Sequence, residues 1–189
     1  MNANSDGHNI ARAAGVLRNG EVIAYPTEGV WGLGCDPMVE SAVEKILVLK
    51  ERPVDKGLIL IASSAMQFAR FLEGLDNVQL CLFESKQNKP TTWLVPHNGV
   101  APPWIVGEHD TLALRITEHP IASAICESFG GPIVSTSANP QNFPPAETFD
   151  VVADYFFEQI AFSIPGHIGD AQGASEIKDI ITGEVIRAG

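Results

Sequence analysis

The stretch Ala24-Tyr25-Pro26-Thr27-Glu28-Gly29-Val30-Trp31-Gly32-Leu33-Gly34-Cys35-Asp36-Pro37 decides how the rest of the chain is read. The short apolar segment Glu21 to Tyr25 predicts a strand leading into it. Val39, Val43, Ile46, Leu47 and Leu49 predict the apolar face of a helix leading out, with Ser41 or Asp36 as cap. Gly29, Gly32 and Gly34 then punctuate a loop between strand and helix, where α/β proteins keep ligands, and Thr27 and Glu28 supply its polar groups. The spacing Gly-x-x-Gly-x-Gly fits neither the dinucleotide fingerprint nor the phosphate loop that ends in Gly-Lys-Ser/Thr. A plain strand-to-helix connection is the other reading of the same residues.

Upstream, residues 1–8 read as a flexible polar tail and Asn9 to Asn19 as a first helix closed by Gly20. Downstream, Pro53 ends the second helix, and the unbroken Leu-Ile-Leu-Ile run within Gly57 to Ala62 predicts a strand buried on both faces. Helices follow over Ser63 to Leu72 and Asn77 to Ser85, a strand over Thr91 to Val95, and an irregular stretch from Pro96 to Gly107. Thr111 to Thr117 alternates as a strand, and Arg115 inside it needs a partner or a ligand. Pro120 to Phe129 is a helix stopped by Gly130 and Gly131. Pro132 to Val134 starts another buried strand, followed directly by Ser135-Thr136-Ser137-Ala138-Asn139-Pro140. A helix over Thr148 to Phe157 and strands over Ala161 to Ile164, Glu176 to Ile181 and Glu184 to Ile186 complete the chain. Strands and helices alternate without regular βαβ spacing, which favours an α/β fold with a mixed twisted sheet in one domain, residues 9–189.

An apolar fraction of 45% is enough to bury a core without staples. Neither an 18-residue apolar run nor a secretory leader is present, so a cytoplasmic protein without membrane contact is expected. Cys35, Cys81 and Cys126 are odd in number and widely spaced, which points to reduced thiols. With 12 basic and 23 acidic residues the net charge is −11, which opposes non-specific attachment to polyanions. The cations are concentrated instead: Lys50, Arg52 and Lys56 fall within seven residues, one turn after Lys45. A helix C-terminus accounts for one such cation, whereas three suit an anion such as a nucleotide triphosphate. The hexapeptide from Ser135 places the Ser135 and Ser137 hydroxyls and the Asn139 amide after a buried strand, either as ligand contacts or as a capped turn. Neither serine sits in a Gly-x-Ser-x-Gly elbow, and His8, His97, His109, His119 and His167 form no base-and-orienter pattern. No His/Asp/Glu spacing resembles a protein-held metal site.

Four separated motifs occur in register: Pro26-Thr27-Glu28 with Gly32-Leu33-Gly34-Cys35-Asp36; Lys50-Glu51-Arg52-Pro53-Val54-Asp55-Lys56-Gly57; Ser135-Thr136-Ser137-Ala138-Asn139; and Ser175-Glu176-Ile177. Through them almost the whole chain resembles the YrdC family, in its short single-domain bacterial form. The resemblance implies a twisted α/β sheet with a concave, positively lined cleft. It also implies an enzyme, a nucleotidyltransferase that converts L-threonine, bicarbonate and ATP into threonylcarbamoyl-AMP and pyrophosphate. ATP would enter as substrate, with Mg2+ bound to it and no metal site of the protein's own. A partner complex would pass the threonylcarbamoyl group to the tRNA adenosine 3′ of the anticodon.

Carried onto matching positions, the resemblance makes Lys50 and Arg52 catalytic. It assigns Lys50, Arg52, Lys56, Thr92, Ser135, Ser137, Asn139 and Arg187 to ATP, and Thr27, Arg115 and Ser175 to threonine. This chain has Gln87-Asn88-Lys89-Pro90 where the family usually has Trp-Pro-Gly-Pro, and Gly29 where many relatives carry threonine or alanine. The alternative is a tRNA or double-stranded RNA binding module without catalysis. Such binding would be weak, because the net charge leaves few cations to neutralise phosphates.

Overall fold

The computed structural model describes residues 3–189. Met1 and Asn2, part of the segment read as a tail, lie outside them. Helix α1 (Ala3–Arg18) begins at Ala3 rather than Asn9, with Asp6 in its first turn, where a carboxylate complements the positive end of the helix.

Strand β1 (Ile23–Pro26) turns directly back into β2 (Trp31–Gly34), pairing antiparallel from Ile23↔Gly34 to Pro26↔Trp31. The Gly-rich stretch is thus a hairpin and not a strand-to-helix loop, which corrects the sequence reading. A Cβ on Gly34 would lie 2.8 Å from both the Tyr25 ring and the Val134 carbonyl oxygen, so that glycine makes room for an aromatic ring and a neighbouring strand.

Helix α2 (Glu40–Leu49) follows without a side-chain cap. The Asp36 carboxylate accepts from the Met38 N–H in the preceding turn. Strand β3 (Ile59–Ala62) comes next, then a 3-10 segment at Ala65–Phe71 where an α-helix was expected. Helix α3 (Asn77–Glu84) is opened by a reciprocal box in which Asp76 accepts from the Gln79 N–H and the Gln79 side chain accepts from the Asp76 N–H. Strand β4 (Thr91–Pro96) is followed by α4 (Pro103–Val106), a single turn inside the stretch read as irregular. Pro103 opens that turn, and Gly107, at φ 68°, ends it. Strand β5 (Thr111–Ile116) and helix α5 (Pro120–Phe129) match their expected spans, and α5 stops at Gly130 in the left-handed conformation. Strand β6 (Ile133–Ser137), α6 (Phe149–Phe156) capped by the Thr148 hydroxyl, and strands β7 (Phe162–Ser163), β8 (Glu176–Asp179) and β9 (Val185–Arg187) complete the order.

Among the described residues, nine strands form one twisted mixed sheet in the order β7-β1-β2-β6-β3-β5-β4-β8-β9. Strand β6 lies antiparallel between β2 and β3, and β3 pairs parallel with β5. Both faces are covered. Ile61 packs with Leu17 of α1 and Ile125 of α5 on one face, whereas Leu60 and Ala62 join Val43 and Ile46 of α2 on the other. This alternation explains why β3 is apolar at every position. Among the described residues no helix is long and apolar enough to cross a membrane.

Candidate active site

The ends of α2, β5, β6 and β9 and the β1–β2 turn surround a cavity of about 560 Å³. Lys50, Arg52, Lys56, Arg115 and Arg187 line it, five of the chain's twelve lysines and arginines, against one carboxylate, Glu28. In a chain of net charge −11 this arrangement selects for an anionic ligand. Thr27, Ser135, Ser137, Asn139 and Ser175 also line the cavity.

The segment carrying Arg52 and Lys56 is held from two sides. The Arg52 N–H donates to the Leu47 carbonyl at 2.9 Å, closing the end of α2, and Glu51 adopts φ 49°. Beyond Pro53, the 3-10 turn Val54–Lys56 is stitched to α4 by Leu58 N–H to Ile105 O (2.9 Å) and Glu108 N–H to Asp55 O (3.0 Å). Gly57, at φ 56°, would put a Cβ 2.7 Å from the Val106 carbonyl, so the close approach requires glycine. Arg52 Nη2 donates to the carbonyls of Lys56 (3.1 Å) and Gly57 (2.9 Å), and its buried Nε has no partner among the described residues. Burial lowers the Arg52 pKa; Asp55 opposes the change and Arg187 adds to it. Arg52 therefore shapes its own loop.

Lys50 caps α2 and is only 7% exposed. Its Nζ donates to Ser137 O (2.5 Å), Asn139 O (2.9 Å) and Asn139 Oδ1 (3.3 Å). Burial, followed by the neighbouring Arg52 charge, lowers its pKa to about 8. The turn it touches is further fixed by Ser137 Oγ donating to Asn139 Oδ1 (2.6 Å) and by Asn139 Nδ2 donating to Pro140 O (3.1 Å) and Phe143 O (2.8 Å). Ser135, Thr136 and Ser137 belong to β6 itself and do not form a loop after it, because β2 and β3 pair with them on either side.

On the opposite wall, Arg115 Nη1 meets Glu28 Oε2 at 2.7 Å, with side chains 9% and 13% exposed. Glu28 Oε1 also accepts from Thr117 Oγ1 (2.6 Å) and the Glu118 N–H (3.1 Å). Burial pushes the Glu28 pKa up, but the Arg115 charge and these hydrogen bonds outweigh it and hold the carboxyl below its ordinary value. The partner that a strand arginine demands is thus Glu28, noted in the sequence only as a polar loop residue. Arg115 Nε is buried without a partner among the described residues.

Arg187 Nη2 donates to Ser175 O at 2.7 Å, tying β9 to the segment before β8. Burial lowers the Arg187 pKa, with Arg115 adding to the effect. Thr92 is fully buried in β4 and does not line the cavity; its hydroxyl bonds Ser175 Oγ at 2.8 Å. It therefore supports Ser175 from behind. Thr27 directs both its N–H (3.0 Å) and its hydroxyl (2.7 Å) to Val30 O, closing the hairpin turn. Lys56 is exposed at the cavity edge. Sequence reasoning missed the segment 169–174, whose Gly173 and Ala171 carbonyls would lie 2.5 and 2.8 Å from a Cβ on Gly29. No periodicity marks such a covering loop.

Gln87-Asn88-Lys89-Pro90 borders a second cavity of about 270 Å³ that shares Glu28 and Pro90 with the first. Cys35 and Cys126 are buried free thiols and Cys81 is an exposed one. Among the described residues no cluster of His, Cys, Asp or Glu could hold a metal ion.

Comparison with known proteins gives a consistent result at three levels. The family comprising Sua5, YciO and YrdC, described as telomere recombination, matches residues 15–189. A threonylcarbamoyl-AMP synthase of Cellvibrio japonicus is 49% identical over 175 residues, covering 93% of each chain. One of Pseudomonas putida strain KT2440 is 47% identical over 180 residues, covering 95% of this chain and 97% of that one. The structure of P. abyssi Sua5 complexed with L-threonine superposes with a TM-score of 0.88 at 31% identity, covering 96% of this chain. This chain spans 54% of that longer protein. E. coli YciO superposes with a TM-score of 0.82 at 26% identity, covering 97% of this chain and 90% of that one. With a family model matching residues 15–189 and relatives nearly half identical along almost the whole length, the chain belongs to the Sua5/YciO/YrdC family.

Proposed function

We propose that the cavity is the active site of a nucleotidyltransferase that makes threonylcarbamoyl-AMP and pyrophosphate from L-threonine, bicarbonate and ATP. The observation that carries this reading is the convergence of five cations on one cavity of an acidic chain. The threonylcarbamoyl-AMP synthases that match along nearly its whole length support it. In the reaction, the threonine amine takes up the carbon of bicarbonate with loss of water, giving a carbamate. A carbamate oxygen then attacks the α-phosphorus of ATP, and pyrophosphate leaves with the bonding pair. No covalent enzyme intermediate is needed; positioning and charge neutralisation supply the catalysis.

Arg52, Lys56 and Arg187 take the triphosphate and the developing charge on pyrophosphate. Ser135, Ser137 and Asn139 contact the nucleotide or carbamate, with Lys50 behind their turn. Arg115 receives the threonine carboxylate, its guanidinium oriented by Glu28, and Thr27 and Ser175 complete that pocket with Thr92 supporting Ser175. Mg2+ accompanies ATP on its phosphates. The product serves a threonylcarbamoyl-transferase complex acting on the tRNA adenosine 3′ of the anticodon, in the cytoplasm.

The test is pyrophosphate release by the pure protein, expected only when ATP, threonine and bicarbonate are all present. Release that ignores threonine or bicarbonate would overturn the proposal. So would a tight tRNA complex at physiological salt without any ATP chemistry.

A further inference from the structure

The smaller cavity, of about 270 Å³, shares Glu28 and Pro90 with the main one but differs from it in charge. Phe83, Trp93 and Ile116 give it an apolar floor. Glu28 is already neutralised by Arg115, which leaves two cations, Lys86 and Lys89, and two carboxylates, Glu84 and Glu118. The main cavity sets five cations against one carboxylate and selects anions. A balanced set of charges over an apolar floor selects something else: a small molecule that carries one charge of each sign. The volume, near the lower end for ligand pockets, fits such a size.

The charges are available. Glu84 makes no ion pair among the described residues. Lys89 gives one donor to Gly189 O at 3.3 Å and keeps two. Lys86 and Glu118 meet at 3.5 Å, with side chains 80% and 63% exposed, a pair that contributes little and yields readily to a competing ligand. The rim is also soft. Gln87 Nε2 donates to Ser85 Oγ (2.7 Å) and Ser85 O (3.2 Å), but residues 86–89 make no backbone–backbone hydrogen bond among the described residues.

We propose that this second cavity binds a free amino acid as its zwitterion and is the vestibule from which L-threonine passes Glu28 to reach Arg115. The carboxylate lies with Lys86 and Lys89, the ammonium with Glu84 and Glu118, and the side chain over Trp93. Entry by this route leaves the mouth of the main cavity to ATP. The route rests on the threonine reading of the main cavity; binding of a zwitterion does not. Because all four charged residues are exposed, the dissociation constant should be about 1 mM or weaker.

The experiment begins with nuclear magnetic resonance of the full chain without ATP. L-threonine should shift the Trp93 indole and the amides of residues 85–89 saturably. N-acetylthreonine, which lacks the cation, and threonine methyl ester, which lacks the anion, should each bind there about tenfold or more weakly, as the loss of a charge-assisted contact implies. Equal binding of either derivative, or no shift at these residues, would overturn the proposal. Lys86→Glu should weaken threonine binding at this cavity about tenfold, and adding Glu118→Lys, which restores the charge balance, should recover most of it. A double variant no better than the single one would show that the charge pattern is not what the ligand reads. Both positions are exposed, so the fold is not at stake. In the reaction, Gln87→Trp, which fills the cavity, should lower kcat/KM for threonine about tenfold while the KM for ATP stays within about twofold. Unchanged kcat/KM in that variant, with the shifts abolished, would overturn the route. Wild-type protein that shows the shifts but makes no threonylcarbamoyl-AMP would overturn the reading of the main cavity and leave an amino-acid site; one that makes it without the shifts would overturn this proposal alone.

Discussion

Glu28 Oε2 and Arg115 Nη1 meet at 2.7 Å inside the cavity wall, although 87 residues separate them in sequence. Removing one member of a buried ion pair leaves an uncompensated charge, which costs about 3–5 kcal/mol. Glu28→Gln should therefore lower stability by about 3 kcal/mol and raise the KM for threonine more than that for ATP, because Arg115 loses its fixed orientation. Chemical denaturation and separate substrate titrations check this. Equal effects on both substrates would show that the pair serves the fold alone.

The same pair makes stability depend on pH. The folded Glu28 pKa lies below its ordinary value. Its contribution is accordingly complete above the unfolded carboxyl value of about 4.3 and is lost as pH falls through the folded value. The difference in melting temperature between wild type and Glu28→Gln should be constant from pH 7 to about 5 and shrink below about 4.3. A difference that grows on acidification would contradict the assignment.

Arg52 holds two carbonyls through Nη2 alone, and its buried Nε has no partner among the described residues. Arg52→Lys keeps the charge but loses the planar array of paired donors that matches phosphate oxygens; Arg52→Ala loses both. Catalytic efficiency should fall about tenfold in the first and about a hundredfold in the second, as expected for charge-assisted contacts of about 1.5–3 kcal/mol each. Because Nη2 also ties residues 56 and 57, stability should drop by about 1–2 kcal/mol. Near wild-type activity in Arg52→Ala would remove Arg52 from the site, and complete unfolding would make it a structural arginine.

At Gly34 a Cβ would lie 2.8 Å from the buried Tyr25 ring and from the Val134 backbone oxygen, neither of which can move freely. Overpacking of this kind costs about 1–3 kcal/mol. Gly34→Ala should lower the melting temperature by about 2–4 °C for each kcal/mol lost, as measured by calorimetry. An unchanged melting temperature would mean that the hairpin flexes enough to admit the methyl group.

Local chemistry was legible where the chain itself carries the reason. Proline at the first turn and glycine at the end framed Pro120–Phe129, and the apolar run of β3 announced burial on two faces. Gly32 and Gly34 misled because a glycine required by a packed ring looks the same in sequence as one required by a loop. Ser135 to Ser137 were read as a loop because their strand character comes from partners on β2 and β3. The cation cluster at Lys50, Arg52 and Lys56 stood out, yet its division of labour did not. The acceptors of Lys50 lie some ninety residues downstream. Thr92 likewise reads as a contact residue until β8 places Ser175 in front of it.

The position of β6 between β2 and β3 bears on how the protein is made. Strand β2 ends at Gly34 and β3 at Ala62, but the strand that joins them begins only at Ile133. During synthesis at about 5–20 residues per second, a ribosome-bound chain carries two unjoined edges, of which β3 is apolar at every position, for several seconds. Such edges are templates for pairing with other chains. A nascent chain stalled before Ile133 should therefore need chaperone protection that one released after Ser137 does not, and premature termination in this interval should yield aggregates instead of a soluble half-domain.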